Sequence, residues 1–159
     1  MQHANHCDRR AVLGGLALAL SPLTSSVWAQ AAPLSIKVFK DPNCSCCTGW
    51  VDHLRSHGLS ADVTATSEMK AVKTRLGVPA ALSSCHTAEV SGYVIEGHVP
   101  FHAIERLLAE RPHAIGLAVP GMPAGSPGMG GEPEAFDVVL FTKDGQRSFG
   151  RYRADRPIA

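Results

Sequence analysis

The chain has 159 residues, enough for one modest core, and a formal net charge of +1 with its histidines neutral. So even a balance excludes recruitment by charge alone to nucleic acid or to an acidic membrane surface. No basic run, internal repeat or second-domain linker appears after residue 30, although the stretch PGMPAGSPGMGGEP is rich in Gly and Pro.

The first thirty residues read as a targeting segment. Arg9 and Arg10 precede an apolar run over 11–20, followed by Ser21-Pro22 and the small-residue exit SSVWAQAA. This order predicts a signal peptide over 1–29, cleaved after Ala29 or, almost as well, after Ala31, and one domain over 30–159 in the periplasm. The apolar run is too short to cross a bilayer as a mature helix, so no membrane span is expected in the mature protein. The paired arginines resemble a twin-arginine export signal, and a general secretory signal stays open beside it. Cys7, His3 and His6 leave with this segment and receive no role.

From residue 34 the elements follow in order. LSIKVF (34–39) is β-branched and apolar and reads as a buried strand. Asp41-Pro42-Asn43 ends it, and a helix over 46–57 follows, with Trp50, Val51 and Leu54 on one side and Gly58 as its stop. A second strand is expected over 59–66 and a second helix over 68–76. A hairpin with strands 86–90 and 93–96 turns at Ser91-Gly92, and a helix over 101–110 starts after Pro100. A last hairpin, strands 136–141 and 147–152, turns at Lys143-Asp144-Gly145. The order βαβαββα, with C-x-x-C between the first strand and first helix, predicts an α/β, thioredoxin-like core carrying an additional C-terminal β-hairpin.

DPNCSCCTGW carries the chemistry. Cys44 and Cys47 form a C-x-x-C pair at a helix start, where unpaired N–H groups and the helix dipole favour thiolate over thiol. They suit a redox dithiol and also soft-metal ligation. Cys46 has no use in simple disulfide exchange. It lies about 100° around the helix from Cys47, so the three sulfurs are not expected to meet one ion without strain, though they can bridge several. Two disulfides are hard to draw, because vicinal and C-x-C bridges close strained rings. Counting back from the Ser91-Gly92 turn puts Cys85 at the start of the third strand, beside the motif and where thioredoxin-like proteins carry a cis-proline. Val78-Pro79 is the rival for that place, and a buried structural cysteine is the plainer reading of Cys85.

Clustered thiolates favour Cu(I), zinc or an iron–sulfur centre, the last disfavoured outside the cytoplasm, and the thioether sulfurs of Met122 and Met129 favour Cu(I). Both methionines also suit the plainer task of covering apolar surface. His98, in EGHVP, is a further candidate ligand. His86 follows Cys85 directly, and strand alternation is expected to turn the two to opposite faces. His53, His57, His102 and His113 fall on helix positions or a helix end and read as solvated.

DPNCSCCTGWVDHL, SCHTAEVSGYVIEGHVP and GLAVPGMPAGSPGM, in that order, resemble the CopG-like copper-resistance proteins, over about residues 36–152. The resemblance implies an exported, thioredoxin-like protein with a multinuclear, thiolate-bridged Cu(I) site. It implies Cys44, Cys46, Cys47 and Cys85 as ligands, with Met122 and a histidine carried over more weakly. Copper ions, and other envelope copper-handling proteins, are the implied partners. Copper redox cycling, thiol–disulfide exchange through Cys44 and Cys47, and passive copper transfer all stay open, as does zinc in place of copper.

Overall fold

The computed structural model describes residues 34–159, and the expected signal segment lies outside the described residues. The apolar, β-branched run after residue 34 forms β1 (Ser35–Lys40), followed by α1 (Ser45–Ser56), β2 (Ser60–Ala65) and α2 (Met69–Arg75). After a short 3-10 turn at Ala80–Leu82 come β3 (His86–Val90), β4 (Tyr93–Glu96) and α3 (Phe101–Glu110). The βαβαββα order and its boundaries match the sequence reading to within a residue or two, the usual slack of helix ends.

β5 (Gly116–Ala118), β6 (Ala135–Phe141), β7 (Gln146–Arg153) and β8 (Arg156–Ile158) complete one eight-stranded sheet in the order β2-β1-β3-β4-β5-β6-β7-β8. β2 runs parallel to β1, and β3 antiparallel to it. The final hairpin therefore extends the sheet. β5 and β8 were not anticipated. β5 is three residues long and shows no period of its own; it is a strand because β4 pairs with it on one side and β6 on the other. β8 is equally short, contains Pro157, and lies at the sheet edge, where a missing N–H is tolerated.

Alternation along the strands sorts the core onto two faces. Ile36, Val38, Ala88, Ile95, Leu117 and Leu140 face one way, packed in one cluster with Trp50, Val51 and Leu54 of α1 and Ile104 and Leu107 of α3. Val94, Ala118 and Phe141 face the other way, with Leu82. Trp50 and Leu54 are fully buried, at roughly 1.5–3 kcal/mol for a side chain of that class. The Trp50 indole N–H also donates to the Val99 carbonyl at 2.9 Å, which fixes α1 against the start of α3. This anchoring aims the amino end of α1, with its cysteines, at the loop before β3.

Candidate metal centre

The loop from β1 into α1 is set by its own polar groups. The Asp41 carboxylate accepts the Asn43 N–H at 2.8 Å, and the Asp41 carbonyl accepts the Cys44 N–H at 3.2 Å. Lys40, nearly buried, donates its ammonium to the Asp41 carbonyl at 2.9 Å. The turn delivers Cys44 as the N-cap of α1, in an extended conformation. No side chain caps this helix, and no acidic residue stands in its first turn. Its first N–H groups and its dipole are thereby left to the sulfurs.

The opposite wall is the loop before β3, pinned from below by a buried carboxylate. Glu96 is fully buried; it accepts the Ser84 backbone N–H at 2.6 Å, the Thr87 hydroxyl at 2.7 Å and the Lys73 ammonium at 2.5 Å. A buried charge persists only when paired and hydrogen-bonded, and Glu96 has both kinds of partner. Its grip on Ser84 fixes the backbone next to Cys85. Pro79 caps the 3-10 turn instead, and no peptide bond among the described residues is cis. Cys85 thus holds the position before β3 that the hairpin count gave it.

The glycine-rich segment forms the third wall. The Ser84 hydroxyl donates to the Gly121 carbonyl at 2.7 Å, which ties one end of the segment to the Cys85 loop. Further along, Gly128 lies against the first turn of α1. Its φ is +85°, and a Cβ there would stand 2.7 Å from the Cys46 carbonyl and overlap the Trp50 nitrogen. Gly49 faces the same spot, where its own Cβ would stand 3.0 Å from the Gly128 carbonyl. Two glycines therefore let loop and helix touch backbone to backbone.

These walls bring the Sγ atoms of Cys44, Cys46, Cys47 and Cys85 within 4.8 Å of one another. Cys44 stands before the helix in extended backbone, whereas Cys46 and Cys47 belong to its first turn. Cys44 and Cys47 form a disulfide, with Cys46 Sγ 3.5 Å from Cys44 Sγ. Cys47 is fully buried, whereas Cys44, Cys46 and Cys85 are partly exposed. Burial, and then the neighbouring Cys46, pushes the Cys85 thiol up to about 11, so it holds its proton at neutral pH.

Two imidazoles flank Cys85. His86 Nδ1 lies 3.2 Å from its Sγ and His98 Nε2 3.1 Å. The expected opposition of Cys85 and His86 is corrected: β3 begins at His86, so alternation does not reach back to Cys85. His86 stacks on Trp50 with centroids 4.2 Å apart, and its Nε2 has no hydrogen-bond partner. His98 Nδ1 lies 2.7 Å from the Pro127 carbonyl, which can only accept. Nδ1 therefore carries the hydrogen, and Nε2 turns a lone pair toward Cys85. Burial lowers both histidines below the ordinary imidazole range, His86 strongly, with His98 and Lys73 adding to it. Both rings are neutral and suited to ligation.

Met122 is 57% exposed and shares a shallow cleft with Ser83, Ser84 and Cys85, at the rim of the cluster. Met129 is half-buried beside Gly128, its N–H donating to the Ser126 carbonyl at 2.8 Å. The free thiols of Cys46 and Cys85, the Cys44 and Cys47 sulfurs once their disulfide is reduced, a lone pair presented by His98 and a thioether at the rim make a soft donor set, which fits copper.

Two solved structures of a copper resistance protein CopG, forms 1 and 2, are each 44% identical to this chain. Form 1 superposes with a TM-score of 0.71 over 76% of this chain and 98% of that one; form 2 gives 0.72, 76% and 99%. The chain belongs to the CopG-like copper-resistance family. A sequence family described as "Protein of unknown function, DUF411" matches residues 82–129, which takes in Cys85, His86, His98, Met122 and Met129. No curated protein matches the chain. Among the described residues no helix is long and apolar enough to cross a membrane.

Sequence reasoning missed the Glu96–Lys73 support, since nothing local marks a carboxylate as buried. It also set aside His53, His57 and His102, which converge on Asp155 at the far end of α1. The H-x-x-x-H spacing of His53 and His57, one helical turn, was the available signal. His113 is exposed, as expected.

Proposed function

We propose that this chain is a periplasmic copper-resistance protein of thioredoxin-like core whose four cysteines hold a thiolate-bridged, multinuclear Cu(I) site. The observation that carries this reading is the approach of four sulfurs within 4.8 Å around an uncapped helix end. Four soft donors so close favour Cu(I) over harder ions, and bridging thiolates let several ions share them. Cys44, Cys46, Cys47 and Cys85 are the ligands, His98 presents Nε2 beside them, and Met122 closes the exposed side. His86 and Met129 border the site. Zinc is the weaker fit, since a thioether adds nothing for it. The βαβαββα order, with β2 parallel and β3 antiparallel to β1, supports the thioredoxin-like assignment. The targeting segment that the sequence leads one to expect over 1–29 supports export, and envelope copper-handling proteins are the natural partners.

The disulfide supports a redox property of the same sulfurs. Cys44 is partly exposed and Cys47 buried, the arrangement of an attacking and a resolving thiol. Two thiolates, Cys44 and Cys47, can give one electron each to two Cu(II) ions, yielding two Cu(I) ions and the disulfide. A two-electron reductant then restores both thiolates as ligands. A plain thiol–disulfide exchanger would have no use for Cys46 beside Cys44.

The test is to purify the mature domain from copper-supplemented cells and measure copper content, oxidation state and insulin reduction together. More copper ions than chains, all Cu(I), is expected. Fewer copper ions than chains with full insulin-reducing activity would replace this reading by simple thiol–disulfide exchange.

A further inference from the structure

The carboxyl end of α1 gathers donors of a different kind. His53 lies in the last turn of that helix and His57 is its C-cap, His102 belongs to α3, and Asp155 to the β7–β8 turn. His53 Nε2 lies 3.2 Å from Asp155 Oδ1, while His57 Nε2 and His102 Nε2 lie 3.6 and 3.5 Å from Oδ2. The donor atoms of His53, His57 and Asp155 all fall within 4.8 Å of one another. A tetrahedral ion with bonds of about 2.0–2.1 Å sets its ligand atoms about 3.3 Å apart, and the three imidazole–carboxylate distances of 3.2, 3.6 and 3.5 Å lie close to that.

The tautomers sharpen the case. His57 Nδ1 lies 2.9 Å from the His53 carbonyl, an acceptor only, so Nδ1 carries the hydrogen of the neutral ring. His57 Nε2 then turns a lone pair toward a carboxylate oxygen. His102 also turns Nε2 toward Asp155, with its Nδ1 at the ion-pair distance of 3.5 Å from Glu105 Oε2. Acceptor against acceptor is relieved only by a proton or a cation between them. One divalent ion there would meet the His57 lone pair and the carboxylate together, with the Nε2 atoms of His53 and His102 beside it. The carbonyl end of the helix favours positive charge there, and the side chains stay open to solvent, with His57 31% and His102 44% exposed.

We propose that His53, His57 and Asp155, with His102 beside them, form a second metal site for a divalent cation of borderline hardness, Zn(II) or Cu(II). Three imidazoles and a carboxylate suit such ions and suit Cu(I) poorly. His57 follows Cys47 by ten residues of helix, roughly 15 Å at 1.5 Å per residue, so the two sites share no ligand. The proposal stands whether or not the thiols hold copper.

Zinc is the probe, added alone to the disulfide form of the mature protein, with long-range 1H–15N spectra following each imidazole. The Nε2 resonances of His53, His57 and His102 are expected to move together and saturate at one zinc for this site. His57→Ala and Asp155→Asn are each expected to weaken that binding at least tenfold while Cys85→Ser leaves it unchanged. The backbone amide spectrum checks that each variant is folded, and Asp155→Asn, which keeps the side-chain shape, decides if His57→Ala is not. Imidazole resonances that stay fixed while zinc fills the thiols overturn the proposal. So does zinc affinity at these rings that Asp155→Asn leaves intact.

Discussion

The two ends of α1 collect opposite chemistry. At the amino end, four sulfurs, one buried and three partly exposed, sit over uncapped N–H groups, where the helix dipole stabilises negative charge. At the carboxyl end, three imidazoles surround one carboxylate in a more open setting, where the dipole stabilises positive charge. The middle of the helix, Trp50, Val51 and Leu54, is core and holds the ends apart. The difference teaches that donor softness follows the helix's own polarity: thiolates gather where anions are stabilised, imidazoles where cations are. The two ends should therefore fail separately.

Cys46→Ser tests this most severely. Copper retained by the chain is expected to fall from a multinuclear complement to near background, while the zinc response of the imidazoles at the other end stays unchanged. Metal analysis beside the imidazole spectra reads both ends in one sample.

Gly128→Ala comes next. The new Cβ would meet the Trp50 nitrogen and the Cys46 carbonyl, and φ +85° strains any L side chain. A loss of about 2–4 kcal/mol is expected in urea unfolding, with copper content reduced because the third wall lifts from the motif. Gly58→Ala, where nothing stands within 4 Å of the new Cβ, is expected to cost less, through φ +86° alone.

His98→Ala is expected to weaken metal binding at the sulfurs by about 10–100-fold, as loss of an oriented imidazole does, with no change at Asp155. A competition titration against a chromophoric Cu(I) chelator measures it.

The smallest expected effect is on pH dependence. Burial holds His86 well below its ordinary range, with His98 and Lys73 contributing. The unfolded chain takes up a proton near pH 6.5 that the native protein refuses. Stability of the metal-free protein is therefore intact above about pH 6.5 and declines as pH falls below it. The slope is at most about 1.4 kcal/mol per pH unit per histidine. Urea midpoints at pH 7 and pH 5 give the slope, and His86→Gln should flatten it.

How much of this was legible follows from where each signal lies. The βαβαββα order rests on local patterns: the β-branched run before Asp41, Trp50, Val51 and Leu54 on one helix side, and the Ser91-Gly92 turn. Cys85 was reachable because a short hairpin fixes register by counting. Its relation to His86 was misjudged because alternation holds only inside a strand, and β3 begins at His86. β5 has no local signature; its pairing with β4 and β6 is tertiary. Asp155 is the clearest case of an invisible partner. It lies 98 residues beyond His57 in a short turn, and only folding brings them together. Glu96 likewise looks like any strand carboxylate until Lys73, Thr87 and Ser84 close around it.

The most direct test of the soft site is X-ray absorption at the copper edge on the copper-loaded mature protein. The account expects a Cu(I) edge, a first shell dominated by sulfur and a short copper–copper distance, with all three lost in Cys46→Ser. A Cu(II) edge, or a first shell dominated by nitrogen and oxygen, would contradict it.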